Sequence, residues 1–213
     1  MAHRPTARPA AKKKTLHGSE RDTPRVQQER LNYADKLAAV DVQRLQCVDD
    51  AGVNVALTRR YGRAPAGARA VGSVPYNYGS NVTLLGALGT RGLEALMTID
   101  SATDSEVFRA VVAQVLCPTL TAGDIVVMDN LRAHTVAGIE EAITGCGARR
   151  IYLPPYSPDL SPIERCWSKR KACLRRLGAR TSEALKEAIT QAMEGITAAD
   201  ALAWFAHCGY VIT

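Results

Sequence analysis

Leu153-Pro154-Pro155-Tyr156-Ser157-Pro158-Asp159-Leu160-Ser161-Pro162-Ile163-Glu164 joins a short apolar run, Arg150 to Leu153, to a periodic segment that ends near Leu177, just before Gly178. Four of the nine residues from 154 to 162 are prolines. Proline fixes its own φ and pushes the preceding residue out of the helical region, so this connection is stiff and non-helical. Ser161 is a helix cap, Pro162 suits the first helical position, and Glu164 falls in the first turn. The stretch therefore reads as strand, rigid loop, helix. A rigid lead-in holds Glu164 in one direction, as a metal ligand requires; an acid in a first turn also simply favours the helix dipole.

Working outward, Ile125-Val126-Val127-Met128 is a short apolar run ahead of Asp129, the pattern of a buried parallel strand. Thr135 to Ile143 reads as the helix between these two strands. Ser105 to Leu116 carries Val107, Phe108, Val111, Val112 and Val115 on one helical face, with Asp104 as its cap. Further upstream, Asn81 to Leu88 and Leu93 to Ile99 are two strands separated by Gly89-Thr90-Arg91-Gly92. Leu45 to Val48 leads into Asp49-Asp50 and Ala51-Gly52, read as a strand ending in two acids and a turn. Val53 to Tyr61 is then a candidate second strand, and residues 62–67 a turn-rich excursion. Downstream, Ser182 to Ile196 and Ala198 to His207 are helices. Antiparallel strands followed by alternating helices and strands define an α/β class, a ribonuclease H-like mixed central sheet flanked by helices. Three regions are expected: a flexible basic arm at 1–24, a linker helix at 25–40, and the ribonuclease H-like domain with its C-terminal helices at 41–213.

The bulk properties agree with one such domain. The chain has 213 residues, 46% hydrophobic and 23% charged, with a net charge of +6. No apolar run approaches the roughly 18–20 residues of a membrane span, and no signal-peptide core follows the basic start. The expected location is cytoplasmic and nucleoid-associated, with no membrane partner. Cysteines at 47, 117, 146, 166, 173 and 208 form no C-x-x-C pair and read as reduced thiols. Residues 1–14 and 165–180 are basic and acid-free. Such blocks suit a polyanion, because phosphate contacts release condensed counterions, although a solvated surface has the same composition.

Asp49 and Asp129 each follow an apolar strand, where a rigid element can hold a carboxylate over the crevice of the sheet. With a third acid from a helix, two such carboxylates could hold a pair of Mg²⁺ ions roughly 4 Å apart. Singly, each is also an ordinary residue for a strand end. Lys171 and Arg175 lie seven and eleven residues beyond Glu164 and share its helical face, suited to a phosphodiester backbone; Trp167 reads as core.

Asp129-Asn130 with His134, then the Leu153–Glu164 block, Trp167 and Lys171, resembles the catalytic core of Tc/mariner-superfamily DDE transposases, in the bacterial insertion-sequence branch. Thirty-four residues separate Asp129 from Glu164, a spacing typical of that group. Val48-Asp49 resembles the first-acid motif, and Arg59-Arg60-Tyr61-Gly62-Arg63-Ala64-Pro65 the segment after it. The resemblance covers about residues 44–177. It implies a catalytic and metal-binding triad of Asp49, Asp129 and Glu164, with Asp50 as the alternative first acid. It also implies two Mg²⁺ ions, replaceable by Mn²⁺, cleavage at transposon ends, and strand transfer into target DNA, typically at TA. Asn130 and His134 would orient the acids, and Lys169, Lys171, Arg175 and Arg176 would contact DNA. A homodimer assembled on DNA is the implied oligomer. Ser161 stands where the family usually has Asn, and Arg170 where an apolar residue is common, which puts a charge on the stripe Ile163, Trp167, Leu174, Leu177. The 48 residues ahead of Asp49 cannot hold two helix-turn-helix units. The expectation is thus a catalytic domain short of its own end-recognition module, with a separate helix-turn-helix product as a candidate partner. The alternatives are an inactive or domesticated DNA-binding remnant on the same fold, or an unrelated ribonuclease H-like nuclease.

Overall fold

In the computed structural model, residues 16–101, 103–130 and 137–212 are described. In chain order the elements are α1 (Pro24–Ala38), β1 (Leu45–Val53), β2 (Val82–Gly89), β3 (Gly92–Ile99), α2 (Ser105–Val111), β4 (Ile125–Met128), α3 (Ile139–Gly145), β5 (Arg149–Tyr152), α4 (Pro162–Leu177), α5 (Ser182–Glu194) and α6 (Ala198–His207). The strands form one five-stranded sheet in the order β3-β2-β1-β4-β5. β1 runs antiparallel to β2, which runs antiparallel to β3; β4 is parallel to both β1 and β5. This is the mixed sheet flanked by helices expected above.

Strand alternation sends successive side chains to opposite faces. Cys47, Ala51, Val53, Leu84, Leu88, Ile125 and Val127 pack with α4, α5 and α6 around Trp167, Leu174, Leu185 and Phe205. Val48, Leu85, Ala87, Val126 and Met128 pack on the other face with Phe108, Val111, Leu116, Ile139 and Ile143. β4 is buried on both faces, so all four of its residues are apolar.

Several boundaries differ from the sequence reading. β1 does not end at Asp49-Asp50: Asp50, Ala51, Gly52 and Val53 pair with Leu85, Leu84, Thr83 and Val82, so Ala51-Gly52 is strand rather than turn. Val53 to Tyr61 is not a second strand, because β2 already occupies that edge. The helix begun at Ser105 changes to a π-helical turn at Val112–Leu116. The helix expected from Thr135 is described only from Ile139, and His134 lies outside the described residues. The arm expected over 1–24 is structured before its end: Ser19–Asp22 is a 3-10 turn, and Arg21 binds Asp159. Residues 1–15 also lie outside the described residues.

On α4 the buried stripe is Ile163, Cys166, Trp167, Arg170 and Leu174, whereas Leu177 faces outward. Arg170 is only 2% exposed, and its Nε and Nη2 have no hydrogen-bond partner among the described residues. Gly178 ends the helix in the left-handed region (φ 67°), its N–H bonded to Leu174 O.

Gly86 stands opposite Asp49 in the β1–β2 register. A Cβ there would come within 2.9 Å of the Trp167 ring. Gly86→Ala is expected to overpack this contact and cost about 1–3 kcal/mol, seen as a lower urea midpoint by circular dichroism. An unchanged midpoint would show that the ring yields freely.

Candidate active site

The β1–β4 ladder ends at the pair Val48↔Met128. Asp49 and Asp129 are the next residue on each chain, so they emerge side by side where the parallel pairing stops. Alternation places both on the face covered by α4. The chain leaving β5 starts with Leu153, whose N–H bonds Met128 O at 2.9 Å, and then runs through the proline loop into α4. This brings Glu164, in the first turn of α4, to the same cleft. Asp49, Asp129, Asn130, Pro154, Tyr156 and Glu164 line a cleft of about 490 Å³. Asp50 alternates to the other face of β1 and does not line it.

Burial, more than anything else, pushes the Asp49 carboxyl up to about 7; the charges of Glu164, Asp129 and Asp50 add to this. Partial burial also raises Glu164, with Asp129 and Asp50 pushing the same way and Lys171 pulling back. Three carboxylates thus feel one another across a partly dehydrated cleft. Neither Asp49 nor Glu164 has a salt-bridge partner among the described residues. Their donor set is all oxygen and anionic, the set that hard divalent cations take. Among the described residues, however, no three acidic, histidine or cysteine side chains are gathered closely enough to enclose an ion.

Trp167 was expected to serve the core alone. It is buried, and its Nε1–H also donates to Asp49 Oδ2 at 3.2 Å. Nothing in the sequence marked this bond, which links residues 118 positions apart. Arg25 of α1 is a second addition: it lines the cleft wall while paired to Glu29 at 2.5 Å.

The basic block of α4 divides on inspection. Lys171 and Arg175 are half-buried on the Glu164 side, Arg176 is exposed, and none of the three has an ion pair among the described residues. Lys169, expected on DNA, binds Asp200 at 2.6 Å and lies over the Trp204 ring. Arg165 contacts His207. Arg180 donates to the carbonyls of Val55 and Leu57, both at 3.0 Å. Asn130 is exposed and lines the cleft beside Asp129. A second cleft of about 440 Å³, between α1 and the C-terminal segment, is largely apolar and holds no cluster of acids. All six cysteines are free, and among the described residues no helix is long and apolar enough to cross a membrane.

Fold and cleft together define an α/β domain with an acidic crevice at the end of its parallel ladder. The chain belongs to the DDE superfamily endonuclease family, whose model matches residues 44–186. Among solved structures it is similar to the Mos1 transposase in its paired-end complex with the left transposon end, at 14% identity and a TM-score of 0.74, covering 95% of this chain and 64% of that one. The Mos1 strand transfer complex matches at 13% identity and 0.76, over 95% and 63%. The catalytic domain of Mos1 mariner transposase matches at 12% identity and 0.62, over 87% and 89%. These likenesses establish a ribonuclease H-like transposase catalytic-domain fold, and the chain spans 64% of the length of the longer Mos1 chain in the paired-end complex. No curated protein matches the sequence.

A carboxyl whose folded pKa exceeds its unfolded value destabilises the fold as pH rises from the unfolded pKa through the folded one. In chelator, Asp49→Asn is therefore expected to be more stable than the parent above pH 7, by on the order of 1 kcal/mol or more. The gain should shrink to about half a kcal/mol near pH 4, where the carboxyl is neutral in the folded state and only about half ionised in the unfolded one. Urea denaturation at pH 8 and pH 4 checks both arms; a less stable variant at pH 8 contradicts the electrostatics.

Proposed function

We propose that this chain is the catalytic domain of a DNA transposase, cutting DNA at transposon ends and joining the freed 3′-hydroxyl to target DNA. The observation that carries the reading is the meeting of Asp49 and Asp129, at the end of the β1–β4 ladder, with Glu164 of α4. These three carboxylates would hold divalent cations, Mg²⁺ with Mn²⁺ as substitute. Bound there, such ions supply the positive charge that activates the attacking water or hydroxyl and stabilises the leaving oxygen. The Mos1 structures include paired-end complexes with Mn and with Mg, which supports the same choice here.

The chain's own residues do the rest. The Trp167 N–H holds one oxygen of Asp49 and leaves the other for the cleft. The proline loop restricts Glu164 to a narrow range of directions, so little ordering remains when substrate binds. Lys171, Arg175 and Arg176 extend from the cleft along α4 and would take DNA phosphates, positioning the strand without reading bases. Asn130, with His134, would orient Asp129. Assembly as a homodimer on DNA, end recognition supplied by a separate helix-turn-helix product, and a cytoplasmic, nucleoid-associated location complete the proposal.

Strand cleavage of a transposon-end duplex in Mg²⁺ or Mn²⁺ tests it. Asp129→Asn and Glu164→Gln should each lower cleavage roughly a thousand-fold, about 4 kcal/mol of barrier, with circular dichroism unchanged. Cleavage equal to the parent's in Asp129→Asn overturns the assignment of the acids. A folded parent that binds DNA but never cuts is the inactive remnant; cutting without strand transfer indicates a nuclease.

A further inference from the structure

The prolines make the 154–161 loop stiff, but stiffness does not aim it. Its internal hydrogen bonds run Ser157 Oγ to Pro155 O at 3.0 Å, Leu160 N to Ser157 O at 3.0 Å and Ser161 N to Pro158 O at 3.1 Å. Tyr156 adds a left-handed residue without being glycine (φ 54°), a conformation that persists only when the surroundings enforce it. These bonds fix the loop's shape but not its orientation on the sheet. Contacts from outside must therefore set the orientation that it passes to Pro162 and Glu164.

Those contacts come mainly from α1. Arg30 Nη1 donates to Asp159 Oδ1 at 3.1 Å and Nη2 to Asp159 Oδ2 at 2.8 Å, a two-point fork. The same Nη1 donates to Ser157 Oγ at 2.6 Å, and Arg21 adds a bond to Asp159 Oδ2 at 3.2 Å. The Arg30 side chain is only 16% exposed, so this pair is better shielded than an ordinary surface bridge. Burial works to raise the Asp159 carboxyl, but the bonds and charge of Arg30, with the charge of Arg21, overcome it and hold the carboxyl below its ordinary range. On the far side of the loop, Tyr210 donates its hydroxyl to Leu160 O at 2.9 Å. Its only proton is thereby used, so Tyr33 of α1 is the donor in the 2.8 Å bond between the two phenols. Burial pushes both phenols up, and both remain donors.

We infer that α1 is a working part of the active site: Arg30, forked onto Asp159 and tied to Ser157, aims the proline loop and thereby Glu164. Arg30 and Asp159 are positioning residues; neither lies where substrate reacts. The inference rests on the transposase reading for what Glu164 does, but the brace itself is a property of the apo chain.

The test compares the full chain with Arg30→Gln, Asp159→Asn, the double variant, and Gln28→Ala, which removes an exposed α1 bond to Asn32, as a control. Two readouts are taken: hydrogen exchange of the amides from Leu160 to Arg165 in metal-free protein, and the Kd for Mn²⁺ alone. Either single variant should speed exchange in that segment and weaken Mn²⁺ binding about tenfold or more. The double variant should lose less than the sum of the singles, since both remove the Arg30–Asp159 fork. Gln28→Ala should change neither readout. Should Arg30→Gln misfold, the near-isosteric Asp159→Asn still decides. Unaltered exchange and Mn²⁺ affinity in a folded variant overturn the inference even if the parent cuts DNA. A parent that binds no Mn²⁺ and cuts no DNA fails the transposase reading instead, while the exchange arm still reports on the brace.

Discussion

The end of the β1–β4 ladder is the constraint on which the rest of the molecule depends. Up to Val48↔Met128, the two chains are locked by backbone bonds and flanked on both faces by apolar side chains. One residue later that pairing stops, while β1 continues against β2 alone. A carboxylate at that point has a strand's rigidity without a strand's enclosure. Asp49 gains its fixed position from the five paired residues from Ala87 to Thr83 opposite it and beyond, and Asp129 from the four buried residues before it. Neither placement requires its own side chain to contribute to stability.

That independence matters because the side chains oppose folding. A carboxyl pushed up to about 7 reports that its ionised form is disfavoured where it sits, mostly by burial and further by its acidic neighbours. The frame must absorb this cost. It does so through the two apolar layers and through Trp167, whose ring fills the space left by Gly86 while its N–H meets Asp49. A site of this kind is less stable than the same fold with neutral residues, and the strain is relieved by the positive charge that the proposed function brings to it.

Local signals made some elements legible in the sequence, and the same reasoning explains which were not. α4 begins at Pro162 and ends before Gly178 as read, because proline and glycine act within a few residues of themselves, although the Ser161 side chain makes no capping bond. α6 and β4 were legible for similar reasons. The middle of β1 was not: Asp49-Asp50-Ala51-Gly52 has the composition of a turn, and only pairing with β2, more than thirty residues away in the chain, keeps it extended. The pairing of Lys169 with Asp200 on α6 was equally invisible in the sequence. Asp129 was legible from the strand end before it and Glu164 from its rigid loop, whereas Asp49 stands inside β1 rather than at its end. The bonds that orient them, from Trp167 to Asp49 and from Arg30 to Asp159, join residues 118 and 129 positions apart and leave no local trace.

The basic block shows why charge counted along a sequence overstates an interface. Seven cations fall between 165 and 180, yet their surroundings divide them sharply. Arg170 is sealed between helices, Arg180 secures the chain leaving β1, and Lys169 and Arg165 join α4 to α6. These four are engaged within the protein: Arg170 is buried in the helical layer and the other three bond to neighbouring segments. The three that remain, Lys171, Arg175 and Arg176, continue from the Glu164 end of the helix toward its C-terminus. There positive charge also suits the helix dipole, so the helix can carry these cations at little cost while its other end carries the acid. One helix thus separates its two electrostatic tasks by position. The carboxylate stands at the end of the proline loop, and the cations lie along the rest of the helix toward its C-terminus.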